Sequence, residues 1–416
     1  MLIRIALLCT LCLTAPAMAA NDWPQFRGPT GQGLSAATGL PVEWSASKNV
    51  AWKVEIPGRG WSSPALSAGR IYLTTSIGTK GGPVSLHALC LEASTGKLVW
   101  DVEVFRPDEA MARQMHGKNS AASPTPYVTA DRVYVHFGHM GTAALDLSGQ
   151  IVWKETTLKY PPVHGNGGSP ALVGNTLVFS CDGASNPFVA GLDAKSGAVK
   201  WKTPRNTTAR KNFSFCTPLA IEVNGSTQVV LPGSGFVAAY EPQTGREIWR
   251  VKYDQGYSVV PRPVFADGMV FVSSGFDHPI VYAIDPAGAQ GDVTDTHVKW
   301  THIRGGPNTP SLLVTGDDLF MVSDLGIASC LDAKTGNVNW THRLNGTFSA
   351  SPVFAEGRVY FQSEAGVGIV VNASKTFQQL AENDLGERSL ASYAVTDGAI
   401  FIRTEHHLWK ISGGAK

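Results

Sequence analysis

A tryptophan recurs along this chain at Trp52, Trp100, Trp153, Trp201, Trp249, Trp300 and Trp340, separated by 48, 53, 48, 48, 51 and 40 residues. A period of that length means that one supersecondary unit is copied, and the content of the copies says which unit. Each opens with Ser/Thr-Pro or a relative: Ser63-Pro64, Thr125-Pro126, Ser169-Pro170, Thr217-Pro218, Arg262-Pro263, Thr309-Pro310 and Ser351-Pro352. A β-branched and aromatic run follows, such as Arg70-Ile71-Tyr72-Leu73 or Arg358-Val359-Tyr360-Phe361. Alternation over such short stretches reads as half-buried strands. Then come an acidic turn and Thr/Ser-Gly, as in Leu331-Asp332-Ala333-Lys334-Thr335-Gly336, and finally the tryptophan. The acid can accept turn N–H bonds and the glycine supplies a positive φ. Four short strands per copy predict an all-β fold, the β-propeller, with the tryptophans wedged between blades as packing residues.

The count is eight. Six repeats end at Trp100, Trp153, Trp201, Trp249, Trp300 and Trp340, and a seventh runs from Ser351-Pro352 to about Leu380, with Leu or Gln in place of Trp. The last opens at Ser392-Tyr393 and lacks an outer strand, while Asn49 to Val54 is an outer strand without a blade. Pairing the two would close the ring and leave no free sheet edge.

Composition fits one propeller of many strands and tight turns: 416 residues with Gly 44, Pro 25 and only 16% charged residues. A net charge of +1 gives no bulk field for nucleic acid. Residues 1–20 carry Arg4, an apolar run from Ile5 to Leu13, and Ala17-Met18-Ala19. That pattern is a signal peptide cut after Ala19 or Ala20, too short to span a bilayer. The expected organisation is leader 1–20, extension 21–48 and propeller 49–412, periplasmic or secreted and monomeric. Of the cysteines beyond the leader, Cys90 and Cys330 read as buried, whereas Cys181 and Cys216 could meet across a blade interface. Beyond the leader no Cys-x-x-Cys or zinc spacing occurs.

The Ala-x-Asp-x-x-Thr-Gly-x-x-x-Trp repeats resemble those of the pyrroloquinoline quinone (PQQ) repeat superfamily over nearly all of the chain after the leader. Trp23-Pro24-Gln25-Phe26-Arg27-Gly28-Pro29, Gly60-Trp61-Ser62-Ser63-Pro64 and Arg403-Thr404-Glu405-His406-His407-Leu408 narrow the likeness to secreted PQQ-like repeat proteins of planctomycete type. The resemblance implies an eight-bladed ring related to quinoprotein alcohol dehydrogenases and to the propeller lipoprotein of the outer-membrane β-barrel assembly machinery. Such dehydrogenases carry adjacent cysteines against the quinone, a stacked Trp, and carboxylate and amide ligands for Ca²⁺. No adjacent cysteines follow the leader here, and no Ca²⁺ trio maps onto motif positions. No cofactor is therefore expected, with PQQ and Ca²⁺ belonging only to an alternative, dehydrogenase reading.

Function should sit on the loops that join one blade to the next. They are rich in cations, amides and aromatics: Arg59, Trp61, His116, Lys118, Asn119, His164, Asn166, Arg205, Lys211, Arg262, Arg304 and Asn308. Cations gathered on one rim of a near-neutral chain predict a site for an anionic ligand or an acidic segment of an envelope protein. A polyanion- or carbohydrate-binding module is a third reading, and plain solvation of a polar face the bland one. Arg262 stands where other blades have Ser or Thr, so it should have an acid neighbour or a ligand. Pro107 to Arg113 suits a short helix over the channel mouth. No catalytic residue is assigned, since no nucleophile elbow is present. The acids around the insertion at 287–296 lack EF-hand spacing.

Overall fold

The computed structural model describes residues 22–78, 82–108, 115–253 and 256–413. The proposed leader and most of the proposed helix at 107–113 lie outside them. Eight antiparallel sheets stand around an axis, each built from consecutive strands running outward. Blade one, for example, is Ala65–Ser67, Arg70–Gly78, Val84–Glu92 and Leu98–Phe105. The eighth is composite. Ala394–Thr396, Ala399–Arg403 and His407–Ser412 are completed on the outside by Val50–Glu55, with Val50 opposite Ile411 and Glu55 opposite His407.

There is no single core. A middle strand such as Thr176–Cys181 is buried at every position because both faces of its sheet meet another blade, whereas Val50–Glu55 alternates half-buried and exposed. The apolar clusters accordingly straddle neighbours: Tyr134, Ala144 and Trp153 of blade two pack with Leu177, Phe179 and Ala190 of blade three.

The tryptophans make the seams. Trp153 Nε1 donates to Ala194 O at 3.0 Å, Trp201 to Pro242 O at 3.0 Å and Trp300 to Ala333 O at 3.1 Å, each in the next blade's outer hairpin. The ring plane covers that hairpin's glycine. Gly197 and Gly245 have φ of 76° and 72°, and a Cβ on either would come within 2.6 Å of the tryptophan. The turn acid acts as expected: Asp332 Oδ1 accepts from Lys334 N, Thr335 N and Thr335 Oγ1.

Two seams depart from this rule. Trp249 bonds Gln228 Oε1 of its own blade at 2.8 Å, because the insertion of blade five replaces the usual hairpin. Within that insertion Gly291–Asp292 lies parallel to the outer strand of blade four, followed by the short helix Thr294–His297. Asp292 of the insertion pairs with Lys252, and Asp285 just before it with Lys299. In blade seven the tryptophan position is Ala381, paired with Val370, rather than Leu380 or a glutamine. Trp44 of the extension packs into that seam against Tyr360, Gly368 and Tyr393.

Around the axis runs a belt of hydroxyls. The N–H of Ser63 donates to Thr125 Oγ1, that of Thr125 to Ser169 Oγ, and that of Ser169 to Thr217 Oγ1, each at 2.9 Å. Beyond Arg262 it resumes through Ser311, Ser351 and Ser392, whose N–H donates to Ser63 Oγ at 3.1 Å. The blade-six member is thus Ser311, followed by Leu312, and not Thr309-Pro310. Thr309 instead donates to Asp324 Oδ1.

Residues 22–48 cross the far end of the channel, where the hairpins between first and second strands lie. Trp23 bridges Leu66 of blade one, Pro24 O accepts from Val128 N of blade two, and Leu34 bridges Phe354 of blade seven. Glu356 then takes the N–H groups of Gly39 and Leu40. The segment stoppers the ring.

Candidate functional site

The stopper leaves a cavity of about 620 Å³ on the axis, open toward the loops that join blades. Phe26 floors it, and Ser63, Thr125, Ser169, Thr217, Ser311, Ser351 and Ser392 form its wall. Each of these hydroxyls accepts one backbone N–H, which fixes its position. Only Ser351 also donates within the belt, to Ser311 Oγ. The other O–H groups are donors available to an occupant.

The mouth is aromatic along one side. His116 and His164 have ring centroids 5.2 Å apart, His164 and Phe213 5.3 Å, Phe213 and Tyr257 5.7 Å, and Tyr257 and Phe276 5.7 Å. Lys211 lies 4.6 Å from the Tyr257 ring and its ammonium is 3.3 Å from the phenol oxygen. On the opposite side Trp61 carries the Arg388 guanidinium 5.4 Å from its ring. Burial, then His116 and Lys211, lower the pKa of His164, so that imidazole stays neutral near neutral pH. Phe276 and Leu325 of the lining are exposed by 49% and 68%. Large apolar groups left in water together are the usual sign of a contact surface.

Charge at the mouth is mixed. Lys118 pairs with Glu364 at 2.7 Å, and Ser349 donates to the same carboxylate. Burial opposes the Glu364 charge, but these donors hold its pKa below the usual range. Asp324 accepts from Asn308 N at 2.7 Å and from Thr309 N and Oγ1, while Asn308 Oδ1 is buried without a partner.

Of the residues expected from sequence, Trp61, His116, Lys118, Asn119, His164, Lys211 and Asn308 line the cavity. The other five do not. Arg59 is exposed and faces Glu405 at 3.4 Å, and Arg304 is exposed outside the lining. Asn166 is buried and accepts from the Tyr160 hydroxyl. Arg205 is buried 2.9 Å from Asp182, whose carboxyl burial pushes up to about 6. Arg262 lies beneath the floor. Among the described residues its partners are not acids but Pro218 O, Phe26 O and Gln25 Oε1. Sequence reading missed the aromatic arc, the hydroxyl belt as a wall, and Phe26. The Phe-x-Phe at 213–215 was the available signal, since large apolar residues between Lys211 and Thr217 are out of place in a solvated loop.

The donor set does not fit a Ca²⁺-bound quinone. Among the described residues no three His, Cys, Asp or Glu side chains stand together as metal ligands. Asp324 already accepts three hydrogen bonds from Asn308 and Thr309. Cys90, Cys181, Cys216 and Cys330 are free and buried in the blades, so the Cys181–Cys216 bridge is not formed. Among the described residues, no helix is long and apolar enough to cross a membrane.

The model of the family described as outer membrane protein assembly factor BamB (PQQ_2) matches residues 46–219, 189–315 and 281–407. A polyvinylalcohol dehydrogenase of Sphingopyxis sp. (strain 113P3) is 37% identical over 300 residues, covering 61% of this chain and 42% of that one. One from Pseudomonas sp. is 25% identical over 263 residues, covering 53% and 41%. The chain therefore matches less than half the length of these curated relatives. Among solved structures, BamB from Moraxella catarrhalis superposes with a TM-score of 0.63 at 14% identity, over 88% of this chain and 98% of that one. Quinohemoprotein alcohol dehydrogenase ADHIIG from Pseudomonas putida HK5 gives 0.65 at 14%, over 95% and 81%. Those two likenesses establish the fold.

Proposed function

Because this chain belongs to the PQQ-repeat family of outer membrane protein assembly factor BamB, we propose that it is a binding propeller whose channel mouth receives a partner. The ligand class is an acidic segment carrying aromatic or large apolar side chains, presented by an envelope protein. The observation that carries this reading is the axial cavity, with an aromatic arc, Lys211 and two imidazoles on one rim and exposed Phe276 and Leu325 in its lining. Aromatic faces take apolar groups, Lys211 supplies the attraction for acid, and the hydroxyl belt offers donors to whatever oxygen reaches the axis. A leader at 1–20, an extension at 21–48 and a propeller at 49–412 would deliver that mouth outside the cytoplasm.

The test is titration of a fluorescein-labelled peptide alternating Glu and Tyr, followed by anisotropy in low salt. Micromolar binding that weakens on Lys211→Ala and Phe276→Ala supports the reading. Equal binding by both variants and the parent, or none, removes it.

The relatives named as dehydrogenases favour a second reading, oxidation of a hydroxylated polymer or alcohol. No step is derived for it, since the described residues do not bring three Ca²⁺ ligands together. Incubation with PQQ and Ca²⁺, followed by dye reduction with polyvinyl alcohol, separates the two. Turnover proportional to bound quinone would replace the binding reading.

A further inference from the structure

Beneath the cavity floor, the turn at 25–33 brings two guanidinium groups together without any acid. Arg27 is 1% exposed, and Arg262 is 2% exposed. Arg262 uses four of its five N–H donors, giving Nη1 to Phe26 O at 2.7 Å, Nη2 to Gln25 Oε1 at 3.2 Å, and Nε and Nη2 to Pro218 O. Arg27, the next residue along that turn, uses far fewer. Among the described residues its one acceptor is Pro352 O, 3.5 Å from Nη2, and Nε and Nη1 are buried with no partner. A buried guanidinium normally satisfies all five donors or meets a carboxylate. Arg205 in the same ring has Asp182, and no Asp or Glu oxygen of the described residues lies within 4.0 Å of Arg27 or Arg262.

The local backbone is bent to hold Arg27 in this place. Its own φ is 65°, and Gly28, Gly31 and Gly33 follow at 78°, 70° and 81°. A Cβ on Gly31 would come 2.3 Å from Arg262 Nη1, and one on Gly33 would come 2.7 Å from Arg27 Nη2. The glycines therefore make room for both cations. The glycines adopt this region freely, but a left-handed arginine is strained and marks a position the surroundings hold in place.

We propose that the base of the channel is a site for a small inorganic anion of chloride size, held by Arg27 Nε and Nη1 beside Arg262, and that this anion fastens the extension into the ring. It would supply the negative charge that the surrounding side chains lack. Burial, with Arg262 second, lowers the pKa of Arg27 to about 9, in keeping with a cation short of a counter-charge. The site is separate from the mouth and stands whether or not the peptide reading survives.

The full chain is melted in sodium chloride and in sodium gluconate of equal ionic strength, gluconate being too large to enter. Chloride should raise the Tm saturably, by about 3 °C between 1 and 200 mM. Arg27→Met should abolish that difference, whereas the exposed Arg304→Met should keep it. Equal melting of the parent in the two salts, or a chloride response that persists in Arg27→Met, overturns the proposal. Should Arg27→Met fail to fold, ³⁵Cl relaxation decides on the parent protein. Saturable excess line broadening, displaced by bromide, supports the site, and broadening no greater than that of an equal concentration of lysozyme refutes it.

Discussion

The seams between blades and the mouth of the channel are made by the same eight sheets, yet they use residues in opposite ways. A seam repeats. One tryptophan, one glycine and one carbonyl meet at Trp153, Trp201 and Trp300 with bonds within 0.1 Å of one another. The mouth does not repeat: His116 and His164 come from two loops, Lys211, Phe213 and Phe215 from a third and Trp61 from a fourth. Residues that obey the period hold the ring together, and residues that break it edge the mouth.

The largest expected effect tests the seam. Trp201→Ala removes a ring 8% exposed that covers Gly245, and should cost about 3–5 kcal/mol in urea unfolding, while peptide affinity at the mouth stays unchanged. A loss of affinity in protein that remains folded would show that seam and mouth are coupled. Acid sharpens the same contrast. His136, packed on Phe179 of blade three at 4.2 Å, has its pKa pushed down to about 3 by burial, then by His139. The unfolded chain takes that proton near 6.5, so it binds more protons than the folded one between the two values. Stability is therefore fully present above 6.5 and falls as pH drops, by up to about 1.4 kcal/mol per pH unit. His136→Gln should flatten the dependence of Tm on pH between 6.5 and 4.5.

At the mouth the expected effects are on binding. Lys211→Ala or Phe276→Ala should raise the Kd for the acidic aromatic peptide about 3- to 10-fold, with unfolding free energy within about 0.5 kcal/mol of the parent. A larger stability loss than affinity loss would make those residues part of the seam. The hydroxyl belt lies between the two regimes. Ser169→Ala should cost about 1 kcal/mol by removing the acceptor of the Thr125 N–H, and weaken the peptide only if its oxygen reaches the axis. Arg59→Ala, outside the cavity, should change neither.

The same contrast explains what the sequence disclosed. A residue that must dock on the next copy recurs at the spacing of the copies, so the blades, their tryptophans and the turn acids were readable without coordinates. Reading slipped where a blade keeps its contact but changes its motif: Ser311 precedes Leu312 rather than proline, and Ala381 stands where a tryptophan was sought. At the mouth, Lys118, His116 and His164 were found because loops are polar, but their state depends on distant chain. Glu364 reaches Lys118 across 246 residues. The need of Arg262 for a partner was legible, and its answer, Phe26 and Gln25 of the extension, was not, because no period links them.

The composite eighth blade has a consequence for how the molecule is made. Val50 to Glu55 emerges early in synthesis but pairs only with His407 to Ser412. Until then its hydrogen-bonding edge is open, and the whole intervening chain forms the loop that must close. A circular permutant that carries this strand behind Ser412 would turn the slowest contact into a local hairpin, and should refold faster without altering the finished ring.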